Sequence, residues 1–258
     1  MRIGLFGGVY NNYIALEAAC SDAIARGCER LYCLGDLGAF GPAPDKVFPI
    51  LKAFNVEVVR GNYDDSVGRG LEDCQCGYTD PRDNHFAHLS YQYTLKNTSE
   101  ENRQYLASLP EHIRVSLGDE HIHLCHGSPR RTNEFMWEST SPTHLLERFA
   151  DDCNADIVCV THTGIHWKRA LSRGRWFVNV GVIGRPANDG QTNVWYAIID
   201  TDIGDPIEFI PLQYDHCRLA NEMEAEEIPH QFIDTVLSGY WTTCLEILPS
   251  KERRRGRF

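Results

Sequence analysis

The sequence holds no apolar run of the length a bilayer-crossing helix needs. Its first eight residues, Met1 to Gly8, are too short in apolar character for a secretory leader. Both absences set the expectation of a cytoplasmic protein. Internal repeats and linker-like Pro/Ser/Gly stretches are also missing, so one domain is expected over residues 1–246, with a basic tail at 247–258. Basic charge is scarce: Lys and Arg number 25 against 36 Asp and Glu, a net charge of −11. Such a chain repels nucleic acid and anionic membranes at long range, which argues against both as partners. The one basic run, residues 251–257, reads as solvated.

Cysteine is not scarce. Ten occur among 258 residues, but a chain of this length builds its own core and has no need of a disulfide scaffold. Most sit in apolar contexts such as Leu31-Tyr32-Cys33-Leu34, and read as small buried hydrophobes. Cys74-Gln75-Cys76, with His85 nine residues on, is the exception. Structural zinc, a redox or lid role, and plain loop cysteines all stay open for it.

Apolar periodicity predicts strands at 2–6, 29–34 and 56–59 and helices at 12–26 and 45–54. This β-α-β alternation implies a parallel sheet. Residues 66–83 read as a long polar loop, 85–95 and 99–109 as helices. Hairpins are predicted at 112–117/121–125 and 167–171/175–180, around Gly118-Asp119 and Arg173-Gly174. A helix at 141–149, strands at 156–160, 194–199 and 207–212, and helices at 215–226 and 230–238 complete the pattern. The fold class is α/β: two mixed sheets packed face to face and flanked by helices, a four-layer α-β-β-α sandwich.

The chemistry-bearing residues lie where strands end: Gly35-Asp36, Gly61-Asn62-Tyr63-Asp64, His126-Gly127-Ser128 and Thr161-His162-Thr163-Gly164. Ligands of α/β sheets bind beyond the carboxyl ends of strands. One Asp, one Asn and two His gathered there make a mixed oxygen/nitrogen site suited to Mn²⁺, Fe²⁺ or Zn²⁺ rather than Ca²⁺. The stretch 133–138, aromatic and amide-rich, reads as a pocket wall or as core.

In this order, these blocks resemble the calcineurin-like metallophosphoesterases, in particular their small bacterial and archaeal phosphodiesterase/phosphatase branch. The family pattern is Asp-x-His, Gly-Asp, Gly-Asn-His-Asp/Glu, His, and Gly-His-x-His. Gly35 to Pro42, His126 to Arg130 and Asn179 to Pro186 are similar to the branch's blocks, so the resemblance spans almost the whole chain. It implies a hydrolase of a small phosphorylated substrate, with homo-oligomers common among relatives. The resemblance implies Asp36, Asn62, His126 and His162 as ligands of the family's second metal. The positions exclusive to the first metal hold Gly8, Tyr10 and Gly164, so one ion per chain is expected, unless Tyr10 or the nearby His166 supplies further ligands. Tyr63 stands where the family has its catalytic histidine, with Asp64 beside it as an orienting group. Arg130 and Arg131 are candidate phosphate binders. Two other readings stay open: a non-hydrolytic phosphate-ligand-binding or scaffold protein, and a mononuclear-metal enzyme of another reaction class.

Overall fold

The computed structural model describes residues 1–254 and 256. The chain begins with β1 (Arg2–Phe6), α1 (Tyr13–Ala25), β2 (Arg30–Cys33), α2 (Val47–Ala53) and β3 (Glu57–Val58). Three helices follow: α3 (Asn62–Arg69), α4 (Pro81–Asn97) and α5 (Glu100–Ser108). The hairpin β4 (His112–Leu117) and β5 (Glu120–Cys125) opens the second half, then α6 (Thr143–Cys153), β6 (Ile157–Val160), β7 (Trp167–Ala170) and β8 (Trp176–Asn179). The chain closes with β9 (Val194–Asp200), β10 (Ile207–Leu212), α7 (His216–Ala225), α8 (His230–Ser238) and α9 (Ser250–Arg253).

The strands form two mixed sheets, ordered β10-β9-β1-β2-β3 and β4-β5-β6-β8-β7. Each has a run of three parallel strands: β1, β2 and β3, which reach one edge of the first sheet with antiparallel β9 and β10 on the other side, and β5, β6 and β8, flanked by antiparallel β4 and β7, in the second. The sheets pack face to face because alternate residues of both are apolar. Ile3, Leu5, Tyr32 and Leu34 from one meet Leu117, Ile122, Leu124 and Val178 from the other in a single buried cluster. α1 and α2 cover the outer face of the first sheet, and α6 that of the second.

Local chemistry sets the helix ends. The Asn12 side chain accepts from the Ala15 N–H (3.0 Å) to cap α1. Asp80 accepts from the N–H groups of Arg82 and Asp83, with Pro81 in the first turn of α4. Two expectations change. Asn62–Arg69 is helical, although the sequence predicts a loop from 66 onward, because Tyr63 and Val67 on its face bury against the core. The tail expected from 247 is anchored at two points, since Leu248 and Glu252 are buried and Glu252 accepts from the backbone N–H and hydroxyl of Ser139, while Lys251, Arg253 and Arg254 of the run expected to be solvated are exposed. Arg255 and Arg257 of that expected tail lie outside the described residues. No helix among the described residues is long and apolar enough to cross a membrane.

The parallel strands deliver their carboxyl ends to one edge, and the loops beyond them are stitched together across the two sheets. The Ile183 and Gly184 N–H groups donate to the carbonyls of Gly7 and Gly8 (3.0 and 2.8 Å), joining the loop after β8 to the loop after β1.

Candidate functional site

At that edge the backbone is held in conformations that side-chain-bearing residues rarely adopt. Tyr10 (φ 53°), Asp36 (φ 58°) and His162 (φ 67°) all lie in the left-handed region. Each costs on the order of 1–2 kcal/mol, and strain of this kind gathers where geometry serves a site. Gly35, just before Asp36, lets β2 and β3 close up: a Cβ there would fall 2.4 Å from the Gly61 nitrogen, at φ +90°.

Three side chains converge. The Asp36 carboxylate, His126 and His162 each offer a ligand atom, all within 4.8 Å of one another. His126 Nε2 lies 3.2 Å from Asp36 Oδ2 and 3.1 Å from His162 Nδ1. His126 Nδ1 donates to the Leu34 carbonyl at 2.6 Å, which turns Nε2 toward the centre. Asn62 donates from Nδ2 to the Cys74 carbonyl (2.8 Å), while its buried Oδ1 has no hydrogen-bond partner. All four residues are buried.

The electrostatics favour a cation. Burial pushes His162 down to about 3, with His126 adding to the effect, so its imidazole is neutral and its lone pair free. Burial also opposes charge on His126, yet the Asp36 carboxylate beside it holds that imidazole above its ordinary range. Asp64 is pushed up by burial and by the neighbouring Asp36. The buried Asp36 carboxylate, a neutral imidazole and an orphaned amide oxygen fit a divalent ion with mixed oxygen and nitrogen ligands.

Asp64 has a different task. Its Oδ2 accepts from the Asp36 and Gly61 N–H groups (both 2.8 Å), and Oδ1 from the Leu37 N–H (2.9 Å). It ties the Asp36 loop to the Asn62 helix and is a positioning residue. Tyr63 touches the centre through its backbone and α4 through its side chain. Its N–H donates to Asp36 Oδ1 (3.0 Å), but its buried phenol hydrogen-bonds Ser90 Oγ (3.0 Å) on α4 and its ring packs edge-on against Tyr91. The phenol is used up in helix packing.

The other candidates also separate from the centre. His166 stacks against Trp195 and Phe209 and is absent from the Asp36 cluster. Tyr10 is buried with its ring edge-on against Phe40, and burial pushes its phenol well up. Arg130 pairs with both oxygens of Glu134, and Arg131 donates to Asn133 Oδ1 (2.7 Å). Cys74 and Cys76 are joined by a disulfide, which removes them as zinc thiolates. Phe135, in the stretch read as wall or core, lies against the His162 ring with centroids 4.5 Å apart.

Arg185 received no role from the sequence, although it lies in the Asn179–Pro186 block. It is 5% exposed, its guanidinium lies 3.5 Å from the Trp241 ring centroid, and its Nε has no hydrogen-bond partner. It also faces Tyr10 and Phe40 and lowers the proton affinity of His162 electrostatically. Trp241 is pinned by its indole N–H to the Pro186 carbonyl (2.7 Å) and its backbone N–H to Asn188 Oδ1 (2.8 Å). A Cβ on Gly164 would come within 3.0 Å of Trp241 and 3.2 Å of Arg185 Nη2. A Cβ on Gly8 would meet Val182 at 2.4 Å and Tyr10 at 2.8 Å. The space beside both glycines is therefore filled by other side chains.

A family model for the calcineurin-like phosphoesterase superfamily domain matches residues 1–204. An uncharacterized protein of Methanocaldococcus jannaschii is 24% identical over 241 residues, 88% of this chain and 93% of that protein. The crystal structure of a hypothetical protein from Pyrococcus horikoshii OT3 superimposes with a TM-score of 0.76 at 22% identity, covering 93% of this chain and 99% of that one. A metallophosphoesterase from Sphaerobacter thermophilus gives a TM-score of 0.69 at 25% identity, over 93% of this chain and 100% of that one.

Proposed function

Because the chain belongs to the calcineurin-like phosphoesterase superfamily, a family of metal-dependent phosphoesterases, we propose that it hydrolyses a small phosphate monoester or diester with one divalent metal ion. Asp36, Asn62, His126 and His162 would hold that ion, and Arg185 would supply the second positive charge. The observation that carries the reading is the filled space beside Gly8 and Gly164. Where a second ion would need ligands, Tyr10, Val182, Trp241 and a buried guanidinium already stand.

A divalent ion held there supplies Lewis acidity toward a phosphoryl oxygen and acidifies water. The chain's own groups do the rest. His126, oriented by Leu34, turns Nε2 inward, and neutral His162 keeps a lone pair free. Asp64 keeps Asp36 and Asn62 in register through three backbone N–H groups. The planar Arg185 guanidinium, held by Trp241, offers paired donors of the spacing that phosphoryl oxygens accept. The net charge of −11 disfavours a polyanionic substrate.

The test is hydrolysis of aryl phosphate monoesters, diesters and pyrophosphates by protein reconstituted separately with Mn²⁺, Fe²⁺ and Zn²⁺. Turnover that needs metal, stops with chelator and is lost in His162→Ala is expected. Tight phosphate binding with no turnover on any substrate would instead assign a non-hydrolytic binder.

A further inference from the structure

The β4–β5 hairpin carries a second group of ligand-type side chains, which the phosphate centre does not use. Alternation along β5 sends Ile122 and Leu124 into the core between the sheets and His123 and Cys125 to the opposite face. Cys125 there joins the apolar cluster under α6, with Leu146, Phe149 and Val158. His112 on β4 sits directly across from Cys125 in the antiparallel register, and the His112 and His123 rings lie 5.0 Å apart.

His123 is the anomaly. It is 5% exposed, and neither ring nitrogen has a hydrogen-bond partner. A polar group buried without a partner in this way is unfavourable. Burial pushes His123 down to about 4 and lowers His112 as well, so both imidazoles are neutral with lone pairs free.

We propose that His112, His123 and Cys125, whose ligand atoms lie within 4.8 Å of one another, form a transition-metal site of the zinc class on the outer face of the second sheet. Two imidazoles and one thiolate match the donor preferences of Zn²⁺ and Co²⁺ and exclude Mg²⁺ and Ca²⁺. Binding replaces the Cys125 thiol proton, which passes to solvent, with a metal–sulfur bond; the ion keeps its oxidation state. β4 is an edge strand and His112 is exposed, so the ion enters from that side and a water completes its coordination. Glu111 and Arg114 are the charged neighbours along β4. Arg114, opposite His123, opposes the incoming charge, so Arg114→Leu should bind the ion more tightly.

Cobalt is the probe, because only thiolate ligation gives an intense sulfur-to-cobalt charge-transfer band in the near ultraviolet. The phosphate centre, with oxygen and nitrogen donors, gives none. Titrating the full chain with Co²⁺ should produce this band, and it should persist when Cys74 and Cys76 are both changed to Ser. It should vanish in Cys125→Ser. In His112→Ala, whose exposed side chain cannot hold the fold together, affinity should fall at least about tenfold. No charge-transfer band in the parent protein, or a band that survives Cys125→Ser or is unaffected by His112→Ala, would overturn the proposal.

Discussion

Asp36→Asn should leave the chain folded but without metal at the Asp36 centre and without turnover. The amide oxygen still accepts the Tyr63 N–H that Asp36 Oδ1 accepts now, and the backbone of residues 36 and 37 stays tied to Asp64. What disappears is the charge that faces His126 Nε2 at 3.2 Å. Three neutral donors in a buried site are a poor exchange for the hydration shell of a divalent ion. Lewis-acid stabilisation contributes several kcal/mol to such a reaction, so kcat/KM should fall at least about a thousandfold. Elemental analysis and ester hydrolysis on the same preparation check this, with the unfolding temperature as control. A variant with parental metal content and parental turnover would place the ion elsewhere.

Arg185→Met should separate metal binding from catalysis. Methionine keeps apolar contact with Trp241, Tyr10 and Phe40, while the positive charge is lost. Bound metal should not change, because Arg185 is not a ligand. kcat/KM should drop by about a hundredfold to a thousandfold, the range found when one preorganised donor to a developing oxyanion is removed. Arg185→Lys should restore little, since a point charge on a flexible stem lacks the planar fork. Turnover at the parental level in Arg185→Met would reduce Arg185 to a space-filling residue and remove the second charge from the account.

The sequence and the structure agree most closely where local rules dominate. Gly118-Asp119 marks the β4–β5 hairpin, and the helix predicted at 230–238 is observed as His230–Ser238. Strand ends followed by Gly-Asp, Gly-Asn or a lone His lead to the residues that converge, because topology alone brings the carboxyl ends of parallel strands to one edge. Side-chain direction was not legible. Tyr63 sits at a motif position, yet its ring turns toward Ser90 and Tyr91 on α4, a choice made by packing against a helix more than twenty residues away. Arg185, Trp241 and Tyr10 meet across three distant parts of the chain, and no spacing rule connects them. Arg130 pairs with Glu134, four residues on, a local partner that competes with phosphate for its guanidinium. The packed stretch around Leu248 and Glu252 was hidden by the basic residues that flank it.

The central claim, a single ion at the Asp36 centre, is tested most directly by electron paramagnetic resonance of the Mn²⁺-loaded protein in the His112→Ala background, where the proposed strand site is weakened. The account expects the hyperfine sextet of an isolated Mn²⁺ ion, lost on Asp36→Asn. A spin-coupled spectrum from two neighbouring ions would contradict it and would mean that the space beside Gly8 and Gly164 admits a second metal after all.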